Sequence, residues 1–216
     1  MNFFMGEDMK AIIFDVDNTL IMWRDEFISG LVNTLKELNY DFSLDEIREI
    51  DNAIEDFDKI DIKLTKENIL DYINKRCNLD FNIDFINKLI VNQGNLCVYE
   101  DDNLTQLIKY LSNKYDLYVI SNWFTDTQKL RLERMHILEY FKGVYGADIN
   151  FKKPDSRCFD VVLSKYTKNE CIMIGDSLVN DIEPAERIGM KSLWLTNRKS
   201  DKYQTIKSLE ELKEIL

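Results

Sequence analysis

The stretch Lys10–Trp23, KAIIFDVDNTLIMW, decides how the rest of the chain is read. Four apolar residues, Ala11 to Phe14, lead into two aspartates, Asp15 and Asp17, with only Val16 between them. An apolar run without alternation is the mark of a strand buried on both faces. Carboxylates at i and i+2 of an extended chain point the same way, so this pair repels itself. It needs solvent to screen it or a cation to hold it.

Four more short apolar runs lie further along: LYVIS (117–121), GVYGA (143–147), CIMIG (171–175) and SLWLT (192–196). Helical patterns separate those of the second half. TDTQKLRLERMHILEYF (125–141) opens with Thr125 and Gln128 at capping-box spacing. Leu130, Arg134, Ile137 and Leu138 then follow at helical spacing. DSRCFDVVLSKY and NDIEPAERIGM are two more helices, the second with Pro184 in its first turn and Gly189 past its end. Ser208 and Glu211 cap a last one. Strand alternating with helix predicts an α/β fold with a doubly wound, parallel, Rossmann-like sheet.

One interval breaks the rhythm. About a hundred residues separate the first two strands, where a crossover needs only a dozen or somewhat more. Phe27, Leu31, Leu35 and Leu38 form one apolar stripe there, and Ile47, Ile50, Ile54 and Phe57 another. Ser43 and Glu46 stand at capping-box spacing ahead of the second, and further helices are expected near 65–77 and 84–92. The expected organisation is an α/β core of residues 1–22 and 96–216 carrying an all-helical insertion, residues 23–95.

Composition narrows the function classes. At 216 residues, 45% hydrophobic and 31% charged, the chain is that of a folded globular protein. A formal net charge of −11 and the lack of a basic run argue against a nucleic-acid polymer as partner. No apolar run approaches the roughly 18 residues of a membrane span, and the N-terminal residues lack the pattern of a signal peptide. Cys77, Cys97, Cys158 and Cys171 form no C-x-x-C pair, so reduced thiols in a cytoplasmic protein are expected.

Ligands of an open parallel sheet bind beyond the carboxyl ends of its strands. That edge should collect Asp15 and Asp17 from the first strand and Ser121 and Asn122 from the second. It should add Lys153 after the third and Asp176 and Asp181 after the fourth. In the ordered motifs DVDNT, SN, KP and GDSLVND the chain resembles the haloacid dehalogenase superfamily, with the insertion where that family's helical, C1-type cap belongs. The resemblance implies a Mg²⁺-dependent phosphomonoester hydrolase that works through an aspartyl-phosphate. Its substrate would be a small phosphorylated metabolite, a nucleoside monophosphate or a sugar phosphate. It further implies Asp15 as nucleophile, Asp17 as general acid and base, and Ser121, Asn122 and Lys153 as phosphate-binding groups. The metal group would comprise Asp15, Asp17 through its main-chain carbonyl, Asp176, and Asp181 orienting from behind. A monomer or homodimer is expected.

Plainer readings stand beside these. Asp17 also reads as a turn residue, Ser121 as a helix cap, and Asp181 as an N-cap. Lys152 rivals Lys153, although only the latter precedes Pro154. Trp23 and Trp123 read as hinge packing or pocket lining, Trp194 as strand core, and the sole histidine, His136, as a structural helix residue. A phosphomutase shares every motif, a haloacid dehalogenase does without the second acid, and a binding module does without turnover. The sequence leaves all three open.

Overall fold

The computed structural model describes residues 9–22, 26–96 and 102–216, so Trp23 and Cys97 lie outside the described residues. Among the described residues six strands form one wholly parallel sheet, in the order β3-β2-β1-β4-β5-β6. They are β1 Ala11–Phe14, β2 Asp116–Ile120, β3 Phe141–Tyr145, β4 Cys171–Gly175, β5 Lys191–Leu195 and β6 Thr205–Ile206. The first five coincide with the apolar runs of the sequence, shifted by no more than two residues. The sixth is too short to show a period.

Helices α1 Glu26–Glu37, α2 Leu44–Lys59, α3 Lys66–Cys77 and α4 Ile83–Gly94 follow β1. Next come α5 Asp102–Ser112, α6 Thr125–Arg134, α7 Asp160–Leu163, α8 Glu183–Arg187 and α9 Leu212–Ile215. Alternation along β1 divides its side chains between two cores. Ile12 and Phe14 join Leu107, Leu111 and Leu132 from α5 and α6. Ala11 and Ile13 join Phe159, Val162 and Ala185 on the opposite face. The sheet is therefore covered on both sides, as its apolar strands require.

Helices α1 to α4 bury a separate cluster that includes Leu31, Ile50, Phe57, Ile69 and Phe85. The capping box of Ser43 and Glu46 forms at the start of α2, and Thr65 and Asn82 cap α3 and α4. Phe124 and Ala147 join the same cluster, which seats the four helices over the carboxyl edge of the sheet. Among the described residues no helix is long and apolar enough to cross a membrane, and Cys77, Cys158 and Cys171 are free thiols.

Two sequence expectations fail at α6. The helix stops at Arg134, and His136 adopts a left-handed φ of 55° just past its end. The Ile137 N–H then bonds back to the Leu132 carbonyl at 3.1 Å, so the histidine ends a helix rather than continuing one. The expected capping box is absent too. Phe124 is the N-cap residue, and the Thr125 hydroxyl donates to Asp148 Oδ1 at 2.7 Å.

Phe85 is wholly buried and stacks on Phe81 with ring centroids 4.1 Å apart. Phe85→Ala should therefore lower the unfolding free energy by about 3–5 kcal/mol, measured by urea denaturation. An unchanged midpoint would show that this cluster does not hold α1 to α4 together.

Candidate active site

β1 and β4 are neighbours at the point where strand order reverses, the crevice where open α/β sheets bind ligands. The Asp15 N–H continues the ladder to the Ile174 carbonyl at 3.0 Å, which fixes its side chain at the lip. The chain then turns tightly, with the Val16 carbonyl accepting from Thr19, Leu20 and Ile21. Asn18 supplies the left-handed φ of 61° that this turn needs. Thr19 Oγ1 accepts the Asp176 N–H at 3.1 Å, and Trp194 Nε1 donates to the Asp176 carbonyl at 2.8 Å. The loops after β1 and β4 are thus tied to each other.

Lys153, only 2% exposed, lies between two carboxylates. Its Nζ donates to Asp15 Oδ1 and to Asp181 Oδ1, each at 2.6 Å. Asn122 holds the lysine from behind: its Oδ1 accepts the Lys153 N–H at 2.8 Å and its Nδ2 donates to the Lys153 carbonyl at 3.0 Å. The Asn122 side chain thus braces the lysine main chain. Lys152 goes elsewhere, donating to the Ile60 carbonyl at 2.9 Å beyond the end of α2. Of the two adjacent lysines, only Lys153 enters the acid cluster.

Asp181 sits in a wide π-helical turn, Leu178–Ile182, opened by Ser177. Its second oxygen accepts the Ser177 N–H at 3.0 Å. Both of its oxygens are therefore engaged, which suits an organising role. A Cβ on Gly175 would lie 2.2 Å from Asp181 Oδ2, so only glycine lets this carboxylate reach inward.

Asp15, Asp176 and Asp181 can each offer an oxygen within 4.8 Å of the others. Burial pushes Asp15 up to about 8, with Asp181 and Asp17 adding to the rise against the pull of Lys153. Burial, then Asp181, pushes Asp176 up to about 6. Burial works against the charge on Lys153, yet Asp15 and Asp181 outweigh it and hold the ammonium well above the ordinary lysine range. One ammonium among three carboxylates leaves an excess of negative charge. A hard, all-oxygen donor set with uncompensated charge fits a divalent cation such as Mg²⁺. Asp17 stands apart from that group, its side chain turned towards α6.

The same edge opens on a cavity of about 390 Å³. The acids, Ser121 and Lys153 form its floor, while Phe27, Ile54, Glu55 and Asp58 from α1 and α2 form its roof. Trp123 lines the cavity and also donates from Nε1 to Gln93 Oε1 of α4 at 2.9 Å, so it both lines the pocket and packs at the junction. Trp194 lies in β5, as expected.

Two residues of the site escape sequence reasoning. Arg131 Nη1 donates to Asp17 Oδ1 at 2.5 Å, and Gln128 Nε2 donates to Asp17 Oδ2 at 2.9 Å. In the sequence Gln128 reads only as a capping partner, and Arg131 is given no role. The one available signal was their i, i+3 spacing on the helix after Ser121, which puts them on one face.

Gly175→Ala should displace Asp181 and weaken Mg²⁺ affinity by about 10–100-fold, measured by titration calorimetry. Affinity equal to that of the unaltered chain would show that Asp181 does not organise the acid group.

The sequence profile of the haloacid dehalogenase-like hydrolases matches residues 12–195. Over 199 residues the chain is 24% identical to the pyrimidine 5'-nucleotidase PynA of Streptococcus pneumoniae, covering 86% of this chain and 83% of that protein. It is 23% identical over 209 residues to the glyceraldehyde 3-phosphate phosphatase of Pyrococcus furiosus, covering 86% and 80%. A stretch of 98 residues is 30% identical to YfnB of Bacillus subtilis, spanning 44% of this chain and 42% of that protein. The crystal structure of YfnB bound to magnesium has the same fold, with a TM-score of 0.75 at 21% identity over 97% of this chain and 99% of that one. With its family profile running from the first strand to the fifth, this chain belongs to the haloacid dehalogenase-like hydrolases.

Proposed function

We propose that the chain is a Mg²⁺-dependent phosphomonoester hydrolase that releases phosphate from a small metabolite through a phosphorylated Asp15. The observation that carries this reading is Lys153, buried against Asp15 in a cavity that Ser121 and Asp176 also line. An ammonium and a hydroxyl beside a carboxylate nucleophile are what a phosphoryl group requires. Asp15 and Asp176 would hold the ion, which would supply positive charge to offset that of the transferring group.

The chain's own groups then divide the reaction into two displacements. In the first, an Asp15 carboxylate oxygen bonds to phosphorus as the bond to the leaving oxygen breaks. Asp17 gives that oxygen its proton. In the second, water attacks phosphorus, Asp17 takes its proton, and the bond from Asp15 to phosphorus breaks. Lys153 and the Ser121 hydroxyl stay on the phosphoryl oxygens throughout. A departing halide would need no proton, so a firmly held second acid favours ester hydrolysis over dehalogenation.

Residues 23–95 would act as the cap, with α1 and α2 meeting the leaving group. Phe27, Ile54 and Trp123 offer apolar surface there, Glu55 and Asp58 add acids, and Lys59 adds an ammonium. Such a roof offers apolar contact and hydrogen-bonding groups to a nucleoside or a sugar. PynA, a pyrimidine 5'-nucleotidase, lends weight to a nucleoside monophosphate as substrate.

Asp15→Asn should abolish phosphate release from a panel of nucleoside monophosphates and sugar phosphates, and should leave no acid-stable phosphoenzyme after quenching. Turnover at the wild-type rate would refute the nucleophile. EDTA should silence the wild-type chain and added Mg²⁺ restore it; full activity after rigorous chelation would contradict the metal site.

A further inference from the structure

Helix α6 buries a polar face. Thr127, Gln128 and Arg131 are at most 3% exposed, although none is apolar. Thr127 Oγ1 donates to the Ile90 carbonyl at 3.0 Å, which docks α6 against α4. The other two turn towards the site. Burying a guanidinium is costly, and Arg131 Nε–H finds no acceptor among the described residues. Packing alone does not account for this residue.

Arg131 Nη1 donates to Gln128 Oε1 at 2.9 Å as well as to Asp17 Oδ1. A guanidinium has no acceptor atom, so the amide oxygen of Gln128 must be the end that faces it. The amide nitrogen is thereby aimed the other way, and donates to Asp17 Oδ2 and to Ser121 Oγ, both at 2.9 Å. Ser121 Oγ also accepts the Trp123 N–H at 3.3 Å. A serine hydroxyl has two lone pairs and one proton. With both lone pairs taken, the Ser121 proton is left to be donated into the cavity, where phosphoryl oxygens would accept it.

We propose that Gln128 and Arg131 are positioning residues for phosphoryl transfer: Arg131 orients the Gln128 amide, which both steadies Asp17 and makes Ser121 a donor. This role rests on the hydrolase reading above. As Asp17 hands its proton to the leaving oxygen, the carboxylate that forms lies against Arg131 Nη1 and Gln128 Nε2. It is then ready to take the proton of the attacking water. One amide thus coordinates the group that binds the phosphoryl oxygens with the group that serves the leaving oxygen. Arg131 also lies 4.8 Å from the ring centroid of Phe27 in α1, so the chain of contacts extends to the roof of the cavity.

The test compares two substrates of one shape, phenyl phosphate and p-nitrophenyl phosphate, in saturating Mg²⁺. The phenolate leaving group needs a proton far more than the nitrophenolate. Gln128→Glu keeps the size of the side chain but sets an acceptor against Asp17 and Ser121. It should lower kcat/KM on phenyl phosphate by about 100-fold, and by about tenfold less than that on p-nitrophenyl phosphate. Arg131→Met should show the same selectivity, and Arg131→Lys should recover part of the loss. Thermal melts establish that each variant folds; if the Arg131 variants do not, Gln128→Glu decides alone. Equal losses on the two substrates, or unimpaired turnover, would overturn the positioning role and leave the hydrolase reading standing. A folded wild-type chain that turns over neither aryl phosphate nor any nucleoside monophosphate or sugar phosphate of the panel would overturn both.

Discussion

The contact on which the site depends is the Lys153 ammonium, buried between Asp15 and Asp181. A charge removed from water is tolerated only where partners and hydrogen bonds compensate it. Here the partners come from three separate loops: Asp15 from the end of β1, Lys153 from the segment after β3, and Asp181 from the turn after β4. Each is placed by something else. Asn122 clamps the lysine main chain, Gly175 leaves room for Asp181, and the parallel ladder aims Asp15. The three acids, close enough for each to offer an oxygen to one ion, give the same spot the donor set of a cation site.

Around that centre, the four-helix unit contributes contacts rather than reacting groups. Lys152, beside Lys153 in sequence, donates to the carbonyl beyond the end of α2, where a cation is favoured. Trp123, two residues beyond Ser121, reaches Gln93 of α4. The roof is therefore fastened to the chain segments that carry Lys153 and Ser121. Lys152 is one peptide link from Lys153, and Trp123 is two from Ser121.

The strand runs were legible because a strand buried on both faces must be apolar throughout, a property visible without any partner. The helices of residues 23–95 were legible through their stripes and through the Ser43–Glu46 box, both of them local. The motif residues Asp15, Ser121, Lys153 and Asp176 could be assigned to one edge because a parallel sheet presents all its carboxyl ends together. α6 resisted the same treatment. Its apolar spacing pointed to Leu130 and Ile137, whereas the face it buries carries Thr127, Gln128 and Arg131. A polar side chain signals exposure to a pattern reader, and only partners distant in sequence compensate this burial: Asp17 for Gln128 and Arg131, and the Ile90 carbonyl for Thr127.

The sequence by itself determined the sheet, the helical insertion and the order in which acid, hydroxyl and lysine meet the sheet edge, since each follows from short-range periodicity and strand direction. The tertiary structure places Lys153, the lysine that the KP motif favoured, among the acids and turns Lys152 away from them. It alone decided that Asn122 serves the lysine backbone, and that Gln128 and Arg131 belong to the site. Those placements turn on hydrogen bonds between residues as much as 138 positions apart. Such bonds have no local periodicity, because their partners are set by distance in space and not by separation along the chain.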